Sequence, residues 1–174
     1  MKPPSVQPAF VRRTLLLSIL ALFLVWSIGY ASSEVDELIE VLNSGDYDER
    51  CDSALRLAEL GPEAARAVPF LANLLQSGDY WLGRECATAL VQIGTDDALQ
   101  ALAEGLKSKD SRPYTLETLT DVGNPLLREL IPQLIEIVLS SGQNWTDDAI
   151  RAIEALERID AQGEALALTL AEVL

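Results

Sequence analysis

The chain has 174 residues, 49% of them hydrophobic and only 6% aromatic, and its 27 acidic and 13 basic residues give a formal charge of −14. That length supports one domain with a continuous core, while a field of that sign repels phosphates and speaks against nucleic acid as a partner. The chain has no histidine, which excludes Ser-His and Cys-His nucleophile pairs and histidine-bearing metal sites.

Taken in chain order, the first feature is Arg12-Arg13 followed by the uncharged, strongly apolar run Thr14 to Ile28 and by the small residues of Gly29-Tyr30-Ala31. Basic, apolar and small-residue regions in that order are those of a secretory signal peptide cut after Ala31. An uncleaved anchor is the competing reading, because residues 14–30 just span a thin or tilted bilayer. Either way the basic side stays in the cytoplasm and the rest crosses the membrane. The arginine pair lacks the flanking residues of a twin-arginine signal, and no Cys follows the run to accept a lipid. The expected domains are therefore 1–31, signal peptide or anchor, and 32–174, an exported periplasmic or extracellular domain whose acidity also serves solubility.

From Glu34 onward helix-length apolar patterns alternate with short breaks. Leu38, Ile39, Val41 and Leu42 share one side of a first helix, which Asn43-Ser44-Gly45 ends. Asp46 is placed to cap a helix running to Leu60, Gly61 to close it, and Pro62 to start its partner, which carries Val68, Phe70, Leu71, Leu74 and Leu75 up to Ser77-Gly78. Asp79 then caps Leu82 to Ile93, Gly94 ends that helix, and Ala98, Leu99, Leu102 and Leu106 line the next. After the break Ser108 to Ser111 come Pro113 to Val122 and Asn124 to Leu139. Beyond Ser140-Ser141-Gly142 come Thr146 to Ile159 and Glu164 to Val173.

The ends of the first helices, Gly61, Gly94, Gly123 and Asp160, follow one another at 33, 29 and 37 residues. A period of this size means stacked supersecondary units. Aligned on those ends, three columns stand out: Ala54/Ala87/Leu116/Ile153, Leu57/Leu90/Leu119/Leu156 and Leu60/Ile93/Val122/Ile159. Spacing by three puts each set on one helix face, and one pair alone cannot bury both its faces. The two alanines of the first column leave room for close helix approach. The segments Leu60-Gly61-Pro62-Glu63-Ala64-Ala65-Arg66-Ala67-Val68-Pro69-Phe70-Leu71 and Val122-Gly123-Asn124-Pro125-Leu126-Leu127-Arg128-Glu129-Leu130-Ile131-Pro132-Gln133-Leu134 resemble bacterial HEAT repeats (the HEAT/PBS-lyase-like type). The expected fold is thus all-α, an α-α superhelix of about four antiparallel helix pairs, preceded by the N-terminal hydrophobic helix. Pro69 and Pro132 are expected to bend the second helix at equivalent places. The pattern departs from the family at Asp160, which stands in place of Gly, and at the short third copy with its early Pro113.

Chemistry is thinly represented. No phosphate-cradling Gly-rich loop is present, and Cys51 and Cys86 are too few for a thiolate zinc site. They lie on the first helices of successive pairs. Packed helix axes are ~8–10 Å apart, which favours free thiols over a disulfide. The acidic run Asp46 to Asp52 misses a calcium-loop pattern because Arg50 stands where the third Asp belongs. Helix capping accounts for it, and for Asp96-Asp97 and Asp147-Asp148.

Aromatic residues recur at the breaks: Tyr47, Tyr80-Trp81, Tyr114 and Trp145. They form either an interface ridge along one edge or plugs between repeats. The resemblance implies a concave face lined by second helices. The candidate exposed residues there are Glu63, Arg66, Asn73, Gln100, Glu104, Arg128, Gln133 and Glu136. In the last helix Leu166, Leu168, Leu170, Val173 and Leu174 point to more than one face and suit a further packing partner. The whole reads as an exported, non-enzymatic protein-binding scaffold or adaptor without cofactor, facing a protein partner with a basic surface. Membrane contact is confined to residues 14–30 if they are retained. Two alternatives stand beside it: a bilin lyase-like chromophore-attachment factor, by resemblance in repeat style, and a membrane-anchored organiser of an envelope complex.

Overall fold

A computed structural model of the protein describes residues 34–122, 124–142, 146–159 and 167. The segment 1–31, Gly123, Trp145, Asp160 and, Ala167 apart, the helix expected over Glu164–Val173 with its apolar residues lie outside them. Among the described residues there is helix and no strand, and no helix long and apolar enough to cross a membrane. Helix α1 covers residues 34–44. It is followed by α2 (Tyr47–Leu60), α3 (Val68–Leu75), α4 (Tyr80–Ile93), α5 (Asp96–Lys107), α6 (Arg112–Val122), α7 (Ile131–Ser141) and α8 (Asp147–Ile159). The 3₁₀ segments Gly61–Ala67 and Pro125–Leu130 lead into α3 and α7.

The helices form two layers. In one, α2 packs on α4, α4 on α6 and α6 on α8; in the other, α3 packs on α5 and α5 on α7. The layers meet where α4 packs on both α3 and α5, and α7 on α8. Helix α1 is tied to the first repeat by ion pairs from Glu34 to Arg56 (2.7 Å) and from Asp36 to Arg66.

The three expected columns form the core between the layers. Leu57, Leu90, Leu119 and Leu156 are fully buried, as are Ala54, Ala87 and Leu116, while Ile153, Leu60 and Val122 pack on its rim. Burying each Leu contributes about 1.5–3 kcal/mol.

Local signals act as expected at the helix starts. Asp46 and Glu49 form a reciprocal capping box, each backbone N–H donating to the other's side chain at 3.0 Å. Asp79 Oδ1 accepts from Leu82 N–H at 2.9 Å, and Thr95 caps α5 in the same way. Capping by Asp79 starts α4 at Tyr80, two residues ahead of the expected Leu82. At the ends, Gly94 takes the left-handed conformation (φ 60°, ψ 21°), and Gly61 a positive φ of 57° with ψ −132°, outside the left-handed helical region.

The two prolines act differently from expectation. Pro69 and Pro132 do not bend a continuous helix; each lies in the first turn of α3 or α7, after a 3₁₀ segment. A Pro removes the N–H that would reach the carbonyl four residues back, and its ring crowds that carbonyl. The preceding turn tightens instead: Val68 N–H donates to Ala65 O and Ile131 N–H to Arg128 O, three residues back in each case.

The short third repeat is compensated locally. Pro113 sits at the second position of α6, where its missing N–H leaves no bond unmade. Ser111 Oγ donates to Gly105 O at 2.8 Å, and the Arg112 guanidinium to Leu106 O (2.7 Å) and Lys107 O (3.1 Å), closing the end of α5.

Candidate functional site

Two of the expected aromatic residues occupy equivalent places. Tyr47 opens α2 and Tyr80 opens α4, each directly after its capping Asp. Both reach toward the next repeat. Tyr47 OH donates to Asp79 Oδ1 at 3.0 Å, and Tyr80 OH donates to Glu117 of α6. Desolvation and the Asp79 carboxylate push the Tyr47 hydroxyl up to about 12, and the bond to Glu117 raises Tyr80. Trp81 follows at 63% exposure, its ring edge-to-face with Tyr80 at 5.4 Å. Trp145 lies outside the described residues.

Tyr114 departs from the ridge reading. Its side chain is buried, its hydroxyl donates to Leu75 O at the end of α3, and its ring lies edge-to-face with Tyr80 at 5.9 Å. Gly83 of α4 makes room for it: a Cβ there would stand 2.6 Å from Tyr114 Cε2. One aromatic of the set is therefore a plug, while Tyr47, Tyr80 and Trp81 form an exposed edge.

An ionic ladder borders this edge. Glu117 accepts from Tyr80, stands 3.6 Å from Arg84 and 3.4 Å from Arg151 of α8, and Arg84 also pairs with Asp121 at 3.0 Å. Sequence reading missed Glu117 because its partners lie more than 30 residues away on both sides.

The second-layer candidates are more dispersed. Arg66 is held by Asp36, and Glu104 by Lys107 at 2.8 Å. Asn73, Gln100 and Arg128 are exposed on α3, on α5 and on the 3₁₀ segment before α7. Gln133 is half-buried, not exposed as expected, and its Oε1 is buried with no hydrogen-bond partner among the described residues. It borders an open cavity of about 260 Å³ between α5 and α7, floored by Leu106 and Ile137 and rimmed by Lys107, Arg112, Glu136 and Ser140. The cavity joins Gln133 and Glu136 to Lys107 and Arg112, which no repeat pattern singles out.

The thiols are free, Cys51 partly buried and Cys86 buried. Burial raises both, Cys86 to about 12, so neither is a prepared nucleophile. No group of three metal-ligating side chains exists among the described residues.

Residues 35–120, from α1 to near the end of α6, match the family model of HEAT repeats. The chain carries HEAT repeats. No curated protein matches it. HEAT repeats form helical scaffolds for protein interaction, and the buried columns and layered pairs are the physical form of that architecture here.

Proposed function

We propose that this HEAT-repeat chain is an exported, non-enzymatic scaffold or adaptor that binds another protein by shape and charge. The observation that carries the reading is the division of labour within the repeats. Their repeated positions are consumed by the core, and what they leave at the surface is a different set of side chains in each repeat. Such a surface supports recognition of one extended partner. Arg56, Arg66, Arg84, Lys107, Arg112 and Arg151 are already paired with carboxylates, so the excess negative charge is exposed and favours a basic partner through faster, salt-sensitive association. Support for export comes from the order of basic, apolar and small residues over 12–31.

The test is a crosslinked pull-down from the envelope fraction with a C-terminal tag, run beside a C-terminal reporter active only outside the cytoplasm. A reproducible partner in near-stoichiometric amount, released by raised salt, is the expected result together with reporter activity. A silent reporter removes the export claim. Absence of any partner removes the scaffold claim.

A further inference from the structure

We propose that the exposed edge at the N-terminal ends of α2 and α4 is a docking surface for an arginine- or lysine-bearing segment of the partner protein, an inference that rests on the protein-binding reading above. Trp81 is 63% exposed, Tyr80 beside it is 41% exposed, and Tyr47, bonded to the neighbouring Asp79, is 44% exposed. The edge is held rigid. Tyr47 is fixed to Asp79, Tyr80 to Glu117, and the Tyr80 ring braces Trp81 edge-on. An exposed indole attracts guanidinium or ammonium groups through its ring quadrupole.

Charge complementarity selects the occupant. Asp48 is exposed beside Tyr47, and Asp79 lies between the two tyrosines; neither has an ion-pair partner among the described residues. The nearby cations are engaged elsewhere: Arg50 donates to Leu42 O at 3.0 Å, Arg84 holds Asp121, and Arg151 holds Glu117. An exposed indole on an edge whose Asp48 and Asp79 carboxylates lack an ion-pair partner among the described residues suits a cationic side chain and disfavours an acidic one.

The probe is the peptide acetyl-Gly-Arg-Gly-Arg-Gly-amide, with its citrulline counterpart as the neutral control. It is titrated into the full chain in uncharged micelles while the Trp indole N–H resonances are followed by NMR. The resonance lost in Trp81→Phe identifies Trp81. The expected result is a saturable shift of the Trp81 indole with the arginine peptide and none with the citrulline peptide. Affinity should be roughly tenfold weaker in Trp81→Ala and a few-fold weaker in Asp48→Asn. Both side chains are exposed, so an unchanged melting temperature certifies the fold of each variant. Equal binding of the citrulline peptide, or wild-type affinity in Trp81→Ala, overturns the inference. In the crosslinked pull-down, a partner captured equally by wild type and Trp81→Ala overturns this edge and leaves the scaffold reading standing. An empty pull-down from wild type overturns both.

Discussion

Gly83 carries a long-range contact that its lack of a side chain hides. Its Cα hydrogen faces the Tyr114 ring, and a methyl group there would sit 2.6–2.7 Å from two ring carbons. The ring is buried and anchored by its hydroxyl on Leu75 O, so it has little freedom to retreat. Gly83→Ala is therefore expected to lose about 1–3 kcal/mol in urea unfolding, although alanine is the better helix former by about 1 kcal/mol. The thiols separate at the same scale. Cys51 should react with an alkylating reagent in the native state and Cys86 only on unfolding, read by mass spectrometry. Burial raises Cys86 from an ordinary thiol value to about 12. Above about pH 9 the unfolded chain loses this proton while the folded chain keeps it, so stability falls as pH rises from about 9 through about 12. Cys86→Ala should flatten that fall relative to wild type in a series of alkaline melts. Tyr47, also raised to about 12, adds a loss of the same sign that both proteins share.

At the scale of the helix, what could be read in advance was what depends on near neighbours. Asp46, Asp79, Gly61 and Gly94 act within four residues of themselves, and each marks the helix end it was expected to mark. The Leu57/Leu90/Leu119/Leu156 column followed from periodicity alone. Pro69 and Pro132 depart from expectation because the second element of the repeat is a 3₁₀ segment followed by a short α-helix, not one continuous helix. Placed where a 3₁₀ turn becomes an α-helix, they obstruct nothing. Pro69→Ala should thus cost about 0.4–1 kcal/mol through the freer unfolded chain. A helix-interior proline would give the opposite sign, a gain of about 3 kcal/mol. Asp46→Ala should lose about 1 kcal/mol, since it opens the capping box. Chemical denaturation with matched slopes measures both.

Across the whole molecule, Gly83 with Tyr114, and Glu117 with Tyr80 and Arg151, are contacts between repeats. Their partners are set by how pairs stack, which no local pattern encodes. The same holds for the cavity beside Gln133, whose walls come from α5, α7 and the start of α6. The aromatic edge was half legible: the recurrence of Tyr and Trp at the breaks was visible, but burial alone separates Tyr114 from Tyr47, Tyr80 and Trp81. The resulting picture assigns stability to the repeated residues and recognition to the unlike ones. Parallel melting and crosslinked partner capture on two variants tests that division most directly. One is the core substitution Leu90→Ala. The other is a surface set combining Trp81→Ala, Asn73→Ala, Gln100→Ala and Arg128→Ala. Leu90→Ala should lose about 2–5 kcal/mol, while the surface set should melt like wild type and lose the partner. A surface set that melts like wild type and still captures the partner in full would contradict the account.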